Sequence, residues 1–225
     1  MATRVLTPAA EAEAPALRAW ATLGVLALAE FLGMSLWLTA SAVAPQLQAL
    51  WGLSAQQAAA LTETVQLGFV AGTALAAVLN LADLVPSRAY FAVSAVAGAA
   101  VNAALLVAPG FGAALVLRFL TGFFLAGVYP PAMKMAATWF RARRGLAIGV
   151  VVGALTVGKA MPYLVKALEG AGGVSFVLLS TSAGALVAAA LVALAYRDGP
   201  FPFPRRAFSW RLVGAVMRHR ETRLA

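Results

Sequence analysis

Six apolar segments, each about as long as a bilayer core is thick, fill this chain almost end to end. Ala19–Val43, Gln56–Leu79, Ala89–Val107, Ala114–Ala137, Leu146–Val165 and Val174–Tyr196 all read as spanning helices. The breaks between them are too short to hold a soluble domain. With 62% hydrophobic and 11% charged residues in 225, one soluble core could not hide this much apolar surface. The sequence therefore predicts an all-α membrane protein of six transmembrane helices.

The formal net charge of +9 would point a soluble protein toward nucleic acid. Here the arginines lie in the tails and in alternate loops, where they act as topology signals rather than as a nucleic-acid surface. Arg4 and Arg18 precede the first span, Arg88 follows the second, and Arg141, Arg143 and Arg144 follow the fourth. Arg197, Arg205, Arg206, Arg211, Arg218, Arg220 and Arg223 follow the sixth. All of these fall on one face, while 44–55 and 109–112 on the other carry no charge. The expected organisation is a cytoplasmic tail (1–18), a six-helix bundle (19–196) and a basic cytoplasmic segment (197–225). Both termini are expected to be cytoplasmic and the bundle to sit in the cell (inner) membrane.

Several chemistries are disfavoured. The chain has no cysteine, which removes disulfides, thiolate metal sites and a cysteine nucleophile. Its one histidine, His219, lies in the tail, so a serine–histidine pair cannot form within the spans. Asp83 and Asp198 sit at span edges and no span contains aspartate, so an intramembrane aspartyl dyad fails too. No histidine–carboxylate cluster supports a metal. The expectation is a chain with no catalytic residues, no metal and no cofactor.

Ionisable residues inside the spans carry the functional signal, since each costs about 2.5–3.5 kcal/mol on insertion scales and usually faces a cavity or a partner. Glu30, Glu63, Arg118 and Lys159 are the candidates for a substrate pathway or for ion coupling. From the helical rise, Glu30 lies about 16 Å deep and the other three roughly 6–11 Å from the outer ends of their spans. Sharing a layer, Glu63, Arg118 and Lys159 can meet, and either cation could pair with Glu63. Glu30 and Glu63 are candidates for proton coupling, because desolvation favours the neutral form of a carboxyl group. Lys134 lies within about one turn of a span end and can snorkel to water. Asn102 and Tyr129 are weaker signals, of the kind membrane helices use for interhelical hydrogen bonds.

Glycine and proline punctuate the fourth and fifth spans. Gly122 and Gly127 fall in the fourth, and Gly145, Gly149 and Gly153 recur every four residues in the fifth, followed by Gly158. Such spacing lines one helix face with small residues and lets another backbone approach, so these glycines are expected to serve helix packing. Pro130, Pro131 and Pro162 are expected to bend or end their helices.

At these residues the chain resembles the N-terminal half of a major facilitator superfamily transporter, over nearly all of 19–225. After the second span, Leu81, Ala82, Asp83 and Arg88 match the family's short acidic-and-basic loop, with Leu79 and Pro86 standing where the family has glycine. Arg118 and Gly122 match its fourth-span motif, and Ala154 stands where proton antiporters of the family have proline. The resemblance implies two inverted three-helix units, with the first, second, fourth and fifth helices along a central pathway and the third and sixth outside. It implies a gating role for Asp83 and Arg88, and secondary active transport of a small solute by alternating access. It also implies a second six-helix half, or a like chain, as partner in the bilayer, so that this chain is expected to be a half or truncated transporter. The alternative expectation is a non-transporting membrane subunit or degenerate fragment whose charges pair within the bundle.

Overall fold

The computed structural model describes residues 8–168 and 173–203. Among these the α-helices run, in order, α1 (Pro8–Met34), α2 (Thr39–Ala42), α3 (Ala44–Trp51), α4 (Ala55–Val78), α5 (Leu81–Leu84), α6 (Ser87–Ala104), α7 (Phe111–Leu125), α8 (Tyr129–Ala137), α9 (Arg144–Leu168) and α10 (Gly173–Ala195). They build six spans long and apolar enough to cross a membrane: Ala16–Met34, Ala55–Val78, Ser87–Val107, Phe111–Ala137, Arg144–Leu168 and Gly173–Ala195. The protein is a multi-pass membrane protein whose spans follow the order of its apolar runs. Arg4, His219 and the arginines from Arg205 to Arg223 lie outside the described residues.

Local chemistry explains most boundaries. Ser54 caps α4 in a reciprocal capping box, its backbone N–H donating to Gln57 Oε1 (2.9 Å) and the Gln57 N–H to Ser54 Oγ (3.2 Å). Just upstream, Gly52 takes the left-handed conformation at φ 63° and ends α3. That connection is itself helical over Ala44–Trp51, with Pro45 in the first turn, where its missing N–H costs nothing. At the N-terminus, α1 already begins at Pro8, so part of the expected tail is helix.

Two spans are interrupted. The first apolar run is not one helix: α1 stops at Met34, residues 35–38 form tight turns, and α2 resumes at Thr39. In those turns the Trp37 N–H donates to Met34 O at 3.1 Å, Ser35 Oγ donates to Leu32 O at 2.6 Å, and Thr39 Oγ1 reaches back to Ser35 O at 3.0 Å. The fourth span divides between α7 and α8, and Pro130 and Pro131 occupy the first turn of the second piece. Pro162 does not end its helix, since α9 runs through it.

The packing is symmetric under exchange of the first three spans with the last three. α1 packs on α9 and α10; correspondingly α7 packs on α4 and α6; and α6 packs on α10, which maps onto itself. Each three-span unit thus opens with an interrupted helix, as two inverted units require. The main core lies where the first, third, fourth and sixth spans meet, around Leu26, Met34, Phe91, Leu125, Val128 and Ala188. The second and fifth spans are the least covered, with 22% and 17% of their apolar windows buried against 39 to 44% in the other four. They flank an open face.

Candidate functional site

The break in the first span organises the polar interior. A helix interrupted at membrane depth frees carbonyl groups that lipid cannot satisfy, so protein donors must reach them. Arg118, on α7 and 1% exposed, does this. Its Nη1 donates to Leu36 O (3.1 Å) and to Asn102 Oδ1 (3.4 Å), its Nη2 to Trp37 O, and its Nε to Leu61 O (3.4 Å). Four of the five guanidinium N–H groups are thereby used on the protein itself. Asn102 extends the network, its two Nδ2 hydrogens shared among Leu178 O (3.3 Å), Thr181 Oγ1 (3.3 Å) and Ser182 Oγ (3.0 Å), while Thr39 Oγ1, whose proton goes to Ser35 O, lies 3.3 Å from Thr181 Oγ1. Spans one, two, three, four and six are tied at one level.

Arg118 is therefore held in the interior, and among the described residues it forms no pair with Glu63, four of its five N–H groups going to carbonyl and amide oxygens. Glu63 itself is exposed on α4, next to Thr62, whose hydroxyl meets that of Ser41.

Lys159 converges on the same break from α9. Its Nζ stands 3.6 Å from the centroid of the Trp37 ring, a close cation–π contact, and makes no hydrogen bond to another described residue. Trp37 in turn meets Phe69 of α4 (5.0 Å between centroids, 57°), and Phe69 meets Tyr129 of α8 (6.5 Å, 30°). All four side chains are half-buried. Beside them Glu30 of α1 is fully buried, neither carboxylate oxygen has a hydrogen-bond partner among the described residues, and Lys159 is within electrostatic reach. The sequence reading missed Trp37 and Phe69. Their signal was present: large aromatics within otherwise aliphatic stretches of the same spans that hold Glu30 and Glu63.

Glycine contacts sort the expected packing residues into two groups. A Cβ on Gly122 would strike the Val65 backbone, one on Gly127 would strike Ser94 and Tyr90, and one on Gly158 would strike the Phe31 backbone. Gly68 and Gly72, not anticipated, meet the backbones of Phe119 and Phe123 in the same α4–α7 crossing. Gly145, Gly149 and Gly153 meet nothing within 4 Å. The ladder expected to pack is therefore unused among the described residues; it lies on the exposed side of α9.

At the arginine-bearing end, Lys134 Nζ pairs with Asp83 Oδ1 at 2.7 Å and also donates to Ala82 O. Arg88 is exposed and shares a shallow groove with Tyr196 and Asp198. The two loop residues are thus engaged separately, Asp83 by α8 and Arg88 beside the end of α10.

Residues 25–220 match the family model described as Major Facilitator Superfamily. The chain belongs to the major facilitator superfamily. Its fold is similar to the crystal structure of a bacterial homolog to the human lysosomal transporter Spinster, in an inward-facing and unoccupied conformation. The TM-score is 0.70 at 18% identity, over 88% of this chain and 47% of that one. This superfamily chain therefore spans about half the length of that solved transporter, and its six spans correspond to half of the transporter fold. No curated protein matches it in sequence. The superfamily is one of membrane transporters rather than enzymes.

Proposed function

We propose that this chain forms one wall of a secondary transporter that moves a small solute by alternating access, the other wall coming from a second six-span bundle or a like chain. The observation that carries the reading is the cluster of Lys159, Trp37, Phe69 and Tyr129, drawn from spans one, two, four and five, at an interrupted helix and beside the buried carboxyl group of Glu30. Discontinuous helices near the midplane are where transporters bind solutes and coupling ions. Glu30 is the proton-coupling group in this reading, and Asp83 and Arg88 hold the loop between the second and third spans. Both termini lie in the cytoplasm of a cell whose inner membrane holds the bundle, since the arginine-rich face is the retained one. Residues 1–18, 19–196 and 197–225 act as tail, bundle and basic linker.

A non-transporting subunit is the second reading. The internal engagement of Arg118 and Lys134 favours it. The oxygens of Glu30 and the donors of Lys159, without hydrogen-bond partners among the described residues, do not, because a bundle held together by its own charges would have paired them.

The test is co-expression with and without a second six-span bundle, extraction in mild detergent, and reconstitution into vesicles carrying an imposed pH gradient. Assembly of a two-bundle species whose gradient collapses on addition of a transported solute is the expected result. Lys159→Met should abolish the collapse, and Glu30→Gln should remove its pH dependence. A stable two-bundle species with no response to any member of a panel of anions, cations, sugars and amines would overturn the transport reading.

A further inference from the structure

We propose that the solute of this site is an organic anion with a flat apolar body, held by Lys159 and laid against Trp37, Phe69 and Tyr129. This deepens the transport reading and rests on it.

Accessibility decides the sign of the ligand charge. Glu30 is fully buried and Arg118 is 1% exposed with four of its five donors spent, so neither can meet a ligand in this arrangement. Lys159 is half-buried and is the charged member of the cluster that an incoming molecule can touch. An ammonium carries three donors, and here none is used in a hydrogen bond to another described residue; the group rests on the face of Trp37. The aromatic row decides the body. Trp37, Phe69 and Tyr129 form a continuous half-buried wall, with successive centroids 5.0 and 6.5 Å apart, and stacking on such a wall suits a planar apolar group.

The test uses the full chain in lipid nanodiscs with benzoate as probe, and benzamide and benzylamine as its neutral and cationic isosteres. Tryptophan fluorescence, with Trp37→Phe identifying the contribution of Trp37, reads binding. Benzoate is expected to bind more tightly than either isostere. Lys159→Met should weaken benzoate at least about tenfold while leaving benzamide unchanged, and Lys159→Arg should retain it. Glu30→Gln should still bind benzoate. The proposal is overturned by preference for benzylamine or benzamide, or by no benzoate binding at all. The transport reading stands or falls separately, on the vesicle experiment with its broader solute panel.

Discussion

Replacing Gly122 by alanine should cost this bundle far more than the same change at Gly149, though both glycines sit in mid-helix and both belong to the patterns from which the sequence predicts packing. At Gly122 an added Cβ would lie 2.8 Å from the Val65 carbonyl carbon and 2.9 Å from the Phe69 nitrogen, and closer still to the Val65 oxygen. Ordinary contact begins at 3.4 Å, so α4 and α7 would have to part by well over 0.6 Å, the oxygen contact being the tightest, an overpacking that typically costs about 1–3 kcal/mol. Sliding offers no relief, because Gly68 and Gly72 fix the same crossing from the other side, against Phe119 and Phe123. A loss of about 2 kcal/mol is roughly a thirty-fold change in the folded ratio. Gly149→Ala meets nothing within 4 Å and replaces a poor helix former by a good one, so its stability should be unchanged or raised by up to about 1 kcal/mol. Equilibrium denaturation of the purified single chain in mixed micelles measures both. Equal losses at the two positions, or a larger loss at Gly149, would refute the assignment of close packing to the α4–α7 crossing.

Three further outcomes follow from the contacts. Arg118→Met should destabilise the chain by about 3–5 kcal/mol, because the carbonyls of Leu36, Trp37 and Leu61 and the oxygen of Asn102 lose a buried donor together; thermal unfolding in nanodiscs measures it, and a loss under 1 kcal/mol would contradict the clamp. A double-mutant cycle on Asp83→Asn and Lys134→Met should return a coupling of only about 1 kcal/mol, since the paired side chains remain 27% and 26% exposed. Gly199→Ala should release residues 199–201 from the fourth-to-fifth connection, because a Cβ there meets the Thr138 backbone, while the Phe201 N–H donates to Thr138 O at 2.9 Å. Faster proteolysis after α10, with the bundle intact, is the expected readout.

The spans were legible because a bilayer imposes a length and a hydropathy on each, and both are local properties of the chain. The interruption of the first span was not. No proline or glycine lies between Ser35 and Leu38, and the break exists because Arg118, more than eighty residues away, supplies donors for carbonyls that a continuous helix would have used itself. For the same reason depth alone could not separate Arg118 from Lys159. Both were placed in one layer, and both do converge on Trp37, one on its carbonyl and one on its ring. Rotation about the helix axis sends the first inward and the second to the open face, and hydropathy does not encode which way a lone cation turns. The glycine ladder is a different case. Four-residue spacing identifies a smooth face but not which helix covers it, and among the described residues nothing lies within 4 Å of that face in α9.

The two interruptions differ in what holds them, and the difference bears on where the bundle can move. The break in the first span is fixed by charge-assisted hydrogen bonds from Arg118 and by Thr39 and Ser41 reaching the sixth and second spans. The break in the fourth rests on steric fit: Gly127 lies against Ser94 and Tyr90, Val128 packs beside Gly33, and prolines begin α8. A buried polar network with several partners must be broken together to move, whereas apolar packing between small residues can slide at little cost. Relative motion of the helices should therefore concentrate at the junction of α7 and α8 rather than at residues 35–38. Lys134, which ties α8 to the loop carrying Asp83, sits on the arm that such a motion would swing.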